Sequence, residues 1–147
     1  MIRHGAQGDD GQALVEFALV LPVLLMLILG LFDVSRAVWQ ENTLAFAARE
    51  ATRYAIVHGS ASDTPIAYTD DCLTSCTNET ITAVVEAAAI GVPNITVTMS
   101  YPDGRNDRGY RVSVDATAPF VPLPSQYLLG GALTITLRGS SMLVIQR

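Results

Sequence analysis

Glu16 is the residue whose chemistry most needs an explanation, because it lies at the start of a long apolar run. A carboxylate at the centre of a membrane-spanning helix costs about 2.5 to 3.5 kcal/mol, so such a residue normally has a partner or a function. Gly11 precedes the run, and a cut after it would leave a new amino terminus at Gln12, about one helical turn from Glu16. One interpretation is an acid that pairs with an amine; the other is an interfacial glutamate that faces lipid headgroups and water.

The remaining reactive residue types do not indicate a catalytic centre or a metal site. The two cysteines and two histidines are too scattered to form a four-ligand zinc site within the chain. His58 is interpreted as a cation that caps the C-terminal end of a helix. The segment 103–107, DGRND, lacks the spacing and the terminal Glu of an EF-hand, so we predict a solvated hairpin loop. We therefore expect no enzyme activity, no cofactor and no metal.

The composition argues against nucleic-acid binding and indicates a membrane protein. Of the 147 residues, 50% are hydrophobic and 16% are charged, which is an unusually apolar balance for a soluble domain. The formal net charge is -5, and the nine basic residues, all Arg, form no cluster that could bind a phosphate backbone. The excess of apolar residues must therefore be concentrated in one place.

That place is the uncharged run 17–32, FALVLPVLLMLILGLF, from which we predict a transmembrane helix over 12–32. A cleaved signal peptide would have a shorter apolar region followed by small residues, whereas Asp33 and Arg36 follow here. The other alternative, a helix buried in a soluble core, would need more chain around it than this sequence provides. Pro22 predicts a kink or a locally melted turn within the span.

The cysteine pair indicates on which side of the membrane the C-terminal part lies. Cys72 and Cys76 are spaced for a small disulfide-closed loop, which would form in an oxidising compartment. We therefore expect the N-terminus in the cytoplasm and the C-terminal part outside it. Two reduced thiols in a polar loop are the alternative, and the charges that flank the span favour neither orientation strongly.

Beyond the membrane, residues 33–58 are predicted to continue the helix as a stalk. Small and apolar side chains form a stripe along it, at Ala37, Leu44, Ala48, Ala51 and Ala55. Such a stripe packs either on the rest of the same chain or on helices of neighbouring subunits. Both alternatives remain open from the sequence, and both can hold along one helix.

Residues 59–147 are predicted to form a small α+β ectodomain. Asn78 caps a short helix, and alternating apolar residues predict strands over 94–101 and 110–116. The proline-rich segment 119–124 is expected to be an extended connection across the surface. A third strand is predicted from residue 133, with a bulge at 139–141. The architecture is thus a long helix packed on an antiparallel sheet of about three strands, with one short extra helix.

Two segments resemble a known family. Residues 11–22, GQALVEFALVLP, are similar to the N-terminal signature of TadE-like pseudopilins of the tight-adherence (Tad/Flp) pilus, and residues 47–55, AAREATRYA, resemble the block that closes the family's conserved region. The resemblance implies a leader over 1–11 that a prepilin peptidase removes after Gly11, leaving Gln12 as the first residue. It also implies that Glu16 and Phe17 are assembly contacts, with Glu16 recognising the amino terminus of a neighbouring subunit.

The resemblance implies a role and a set of partners as well. The expected protein is a single-pass protein of the inner membrane that acts as a minor pilin, with the bilayer, the prepilin peptidase, other pilin subunits and the Tad assembly platform as partners. A folded ectodomain of this size favours a minor or assembly-priming subunit over the repeated filament subunit. The alternative is an uncleaved single-pass anchor that displays a small adhesive or sensory ectodomain.

Overall fold

One helix dominates the structure, a computed structural model that describes residues 9–66, 70–128 and 130–146. Helix α1, Asp9–Val57, is helical on both sides of Pro22, so the predicted kink stays a prediction. Its last turn is closed by a hydrogen bond from His58 N to Ala55 O of 3.1 Å, just before Gly59. The predicted helix to about residue 58 is confirmed, whereas residues 1–8 of the predicted leader lie outside the described residues.

The other elements form a small α+β unit, as the sequence predicted. In chain order they are a 3-10 turn at Asp70–Leu73, α2 at Glu79–Ala88, β1 at Thr96–Ser100, β2 at Arg111–Phe120, α3 at Leu123–Leu128 and β3 at Ile135–Val144. The three strands form one antiparallel sheet in the order β1-β2-β3. Asn78 caps α2 through its side-chain oxygen, which accepts hydrogen bonds from the backbone N of Thr80 and Ile81.

The sheet and α2 pack against only the C-terminal half of α1. We call residues 11–32 of α1 the apolar half, residues 33–57 the packed half, and residues 59–146 the head. β3 runs along the packed half towards the C-terminal end of α1. Gly139 lies against Leu44 and Ala45, and further along Gln146 N donates to Ile56 O at 2.9 Å. The core combines small helix residues with larger residues of the sheet and α2, including Leu44, Ala47, Ala48, Ala51, Ala55, Ile81, Val85, Met99, Tyr101, Val112 and Val114. The alanine stripe therefore packs on its own chain.

The predicted bulge at 139–141 is wrong. β2 and β3 pair in unbroken register across it, with Ala116 opposite Gly139 and Val114 opposite Ser141. A glycine is needed at position 139 for a different reason, because a Cβ there would overlap the backbone of Leu44 and Ala45. A glycine within a strand marks either a bulge or a close approach of another backbone, and here it is the close approach.

The predicted extended connection over 119–124 is also wrong. Pro119 lies within β2 opposite Thr136, and β2 continues to Phe120. Pairing with β1 stops at Thr117, so β2 is an edge on that side, where a proline is tolerated. Pro124 then occupies the first turn of α3, where its missing N–H costs nothing.

Candidate functional site

The predicted processing residues lie in the first turns of α1. Gly11 and Gln12 are helical and exposed, and a Cβ at Gly11 would meet no atom within 4 Å. The first four N–H groups of a helix lack partners within it, and glycine is destabilising by about 1 kcal/mol relative to alanine in a helix. The glycine therefore lowers the stability of the helix at this turn.

Glu16 is exposed on the helix surface one turn further on. Its Oε1 accepts a hydrogen bond of 2.9 Å from Nε2 of Gln12, an i,i+4 pair along one face. The neighbouring Phe17 is 61% exposed. Since the sequence has no Arg, Lys or His from residue 5 to residue 35, the span itself offers no cation to this carboxylate.

The apolar half of α1 carries large side chains that are exposed in the described part of the chain. All residues from 11 to 29 are exposed, among them Leu19 at 71% and Leu27 at 64%. Its length and composition are sufficient to cross a membrane, and none of its most apolar window is buried in the fold. The segment is thus not a buried helix of a soluble core. It is a membrane anchor of the protein.

A polar clasp holds the head to α1 at the end of the apolar half. Asp33, only 7% exposed, accepts a hydrogen bond of 2.8 Å from Leu123 N through Oδ2 and lies 3.6 Å from the Arg36 guanidinium through Oδ1. Arg36 donates to Val121 O at 2.6 Å and stacks over the Phe120 ring at 4.7 Å. These interactions fix the segment 120–123 beside the first turn of the packed half.

Sequence reasoning missed the clasp. Asp33 and Arg36 were used only as charges that end the apolar run, although their i,i+3 spacing on a helix was a signal for an ion pair. What the sequence could not show was the second partner, because Val121 and Leu123 contribute backbone atoms, which no side-chain pattern reveals.

The predicted disulfide is present between Cys72 and Cys76. It stands at the edge of the sheet, because Cys76 and Met99 of β1 exchange two backbone hydrogen bonds of 2.8 Å. Tyr101 N also donates to Cys72 O at 2.8 Å. The disulfide loop therefore covers the otherwise open edge of β1.

The segment 103–107 belongs to the β1–β2 hairpin loop, at the end of the head furthest from the clasp. Asp103 accepts hydrogen bonds from the side chain and the backbone N of Arg111, the shortest being 2.6 Å. These bonds lower the pKa of the exposed Asp103 carboxyl to about 2 and raise the pKa of Arg111. Asp103 is thus the partner of an arginine, and the described residues contain no group of three or more His, Cys, Asp or Glu placed to hold a metal ion.

His58 lies at the predicted position at the end of α1. Its Nδ1 is 2.8 Å from Tyr54 O, and its ring stacks on the Tyr54 ring with centroids 3.9 Å apart. A histidine that contacts one of the last carbonyls of a helix is a helix-terminal group. This position fits the interpretation of His58 as a capping residue.

Most of α1, including Gly11 and Glu16, matches a known protein family. Residues 11–53 match the family model of the TadE-like protein, whose members are pilus components and are not known as enzymes. The resemblance found in the sequence is confirmed over those residues, which include the apolar half and most of the packed half. No curated protein and no solved structure matches the chain.

Proposed function

Because its membrane helix and most of its packed half match TadE-like proteins, we propose that this chain is a non-catalytic minor pilin. In this proposal a prepilin peptidase cuts after Gly11, and the mature chain contributes to the assembly or priming of a Tad-type pilus. One observation carries the proposal: the apolar half is exposed from residue 11 to residue 29 and presents Glu16 near its N-terminal end, within the matched residues.

Processing is supported by the position of Gly11. The peptide bond between Gly11 and Gln12 lies in an exposed turn of α1 that contains a glycine, so we expect a peptidase to unwind its substrate there at low cost. Neither residue contributes to the core of the head. Removal of residues 1–11 would therefore leave the packed half and the head intact.

Pairing between subunits is supported by the surroundings of Glu16. In hydrocarbon a lone carboxylate is costly, and the span has no basic side chain to neutralise it. The α-amino group that processing creates at Gln12 is a cation at nearly the same depth, about 6 Å along the helix axis from Glu16. A neighbouring subunit can supply that amine to Glu16, so each subunit satisfies its acid by docking.

The expected topology follows from the same elements. The proposed membrane span is 12–32, with the packed half and the head outside the cytoplasm, where the Cys72–Cys76 bond would form and persist. The head is a folded unit attached to one side of the helix, which fits a minor or priming subunit. Partners in this proposal are the bilayer, the peptidase, other pilin subunits and the assembly platform.

The mass of the chain extracted from membranes tests the processing step. We expect a polypeptide that begins at Gln12, and Gly11→Val should leave residues 1–11 attached because the peptidase no longer accepts the site. Gly30→Val is the matched control, since it changes the other glycine of α1 and should be processed normally. Retention of residues 1–11 in all molecules of the unaltered chain would support the alternative, an uncleaved anchor that displays an adhesive or sensory head.

Glu16→Ala tests the pairing step. Removing one partner of a desolvated ion pair leaves the other without compensation. We expect normal membrane insertion but a decrease of about tenfold or more in the amount of other pilin subunits that copurify. Glu41→Ala, which removes an exposed carboxylate from the packed half, should change neither quantity. Unchanged copurification and piliation in Glu16→Ala would contradict the pairing role.

A further inference from the structure

The clasp fixes part of the head at the depth of the membrane boundary. In the proposed placement, residues 12–32 cross the hydrocarbon core, and 21 helical residues at 1.5 Å each span roughly 30 Å. Asp33 is the next residue, and its carboxylate is bound to Leu123 N, the first residue of α3. Helix α3 therefore lies beside the point at which α1 leaves the membrane.

The segment held there is apolar and uncharged. Residues 121–135, VPLPSQYLLGGALTI, contain no charged residue. Tyr127 is 78% exposed, Leu133 is 53% exposed and Ile135 is 47% exposed. The hairpin loop at the opposite end of the head, residues 101–111, contains five charged residues: Asp103, Arg105, Asp107, Arg108 and Arg111. The head is thus polarised along the direction of α1, with its apolar end towards the membrane.

A groove between α1 and this segment opens into the bilayer. It has a volume of about 550 Å³, and its walls are mostly apolar, with Val34 and Ala37 on one side and Leu133 and Ile135 on the other. Gly30 lines its lower end, and Asp33, which also lines it, is bound by Leu123 N. Gly30 belongs to the proposed span, so the lower end of the groove lies at the depth of lipid acyl chains. The groove is therefore continuous with the lipid-facing surface of the apolar half.

We propose that this end of the head is a lipid-binding surface that rests on the outer leaflet of the membrane. The groove accepts part of an acyl chain, while Tyr127 lies at the level of the headgroups, where amphipathic aromatic rings are favoured. Because the segment 121–135 has no charge, binding depends on apolar contact and not on anionic headgroups. The inference rests on the membrane anchor of the proposed function and is independent of processing and of pilus assembly.

Lipid is favoured over a second copy of the chain by position and by composition. Wherever α1 crosses a bilayer, lipid surrounds the lower end of the groove at all times, whereas a second copy would have to be recruited. The clasp also keeps this end of the head close to the membrane surface, because it binds Val121 and Leu123 to the first turn of α1 beyond the span. Contact of these side chains with lipid therefore needs no further change of structure.

Fluorescence quenching by brominated acyl chains tests the proposal on the full-length protein in phosphatidylcholine vesicles. Tyr127→Trp places a reporter on α3, and Val57→Trp places one on an exposed position about 36 Å further along α1 from Asp33. The unaltered chain, whose single tryptophan is Trp39, supplies the background to subtract. We expect quenching at 127 to exceed quenching at 57 at least twofold, and equal quenching would overturn the proposal.

A second pair of variants tests the groove itself. Leu133→Asp, in the Tyr127→Trp protein, should reduce quenching to the level seen at position 57, because it replaces an apolar side chain of the groove wall with a charged one. Asp33 differs in that Leu123 N and Arg36 already hold its carboxylate. Met142→Asp is the matched control on β3, since Met142 is similarly exposed at 49% but lies above the groove. Quenching at 127 that is unaffected by Leu133→Asp would refute lipid binding in the groove. Quenching that is low at high protein density and rises as the protein is diluted in lipid would show that a second copy occupies the groove, and would also overturn the proposal.

Discussion

The two halves of α1 are both rich in apolar residues, yet they face different surroundings. In the apolar half, the residues are mostly Leu, Val, Ile, Met and Phe, and their side chains are exposed on the helix surface. In the packed half, the buried hydrophobic positions are Leu44 and four alanines, Ala47, Ala48, Ala51 and Ala55. The difference lies in the size of the side chains as much as in their hydrophobicity.

Size matters because of what each half must contact. Fluid lipid chains adapt to large side chains, whereas a β-sheet can approach a helix backbone only where the side chains between them are small. One such approach is at Gly139, where β3 lies directly on the backbone of Leu44 and Ala45. Burial of these positions then adds about 25 cal/mol for each Å² of apolar surface removed from water.

The largest expected effect comes from adding one methyl group at this contact. Gly139→Ala should destabilise the head by about 3 kcal/mol or more, because both clashing partners are backbone and neither can turn away. The measurement is urea unfolding of the head in detergent micelles. Gly30→Ala in the apolar half is the matched control, since a Cβ there meets no atom within 4 Å. Equal stability of the two variants would show that the halves do not differ in this way.

An effect of comparable size should follow from a large-to-small change in the packed half and not in the apolar half. Leu44→Ala removes a fully buried side chain and should cost about 2 to 5 kcal/mol of the free energy of unfolding of the head. Leu27→Ala, at a position that is 64% exposed, should change it by less than about 0.5 kcal/mol. The same urea titration measures both. A cost for Leu27→Ala that matched the cost for Leu44→Ala would mean that the apolar half also supports the head.

The sequence predicted α1, α2 and the three strands because each has a strong local signal. The uncharged run, the Asn78 cap and the alternation around Val97 and Val112 act within a few residues, so no tertiary information is needed. The sequence also predicted that the signature residues, Gly11 to Phe17, lie on an exposed part of the helix. Their role in processing and pairing remains a prediction.

What the sequence could not predict depends on tertiary contacts. The sequence places Pro119 in a connection because proline breaks a central strand. Only the end of the β1–β2 pairing, where Thr96 lies opposite Thr117, shows why β2 tolerates it. Gly139 has the same local signature for a bulge as for a close approach, and the helix that distinguishes the two lies almost 100 residues away in the chain. The clasp was missed for a similar reason, since its acceptor and donor on the head are backbone groups.

The smallest expected effect concerns pH and sharpens the comparison from the side of the head, where Arg111 holds the Asp103 carboxylate. The folded-state pKa of Asp103 is about 2, lower than the ordinary 3.8, since Arg111 stabilises the carboxylate. A lowered pKa contributes stability that is present above about pH 4 and is lost as pH falls towards 2. Asp103→Asn should therefore reduce the acid sensitivity of the urea midpoint between pH 5 and pH 2, whereas Glu41→Gln should not. The change should be small because both partners are exposed. The same slope in Asp103→Asn and the unaltered chain would place the acid-sensitive group elsewhere.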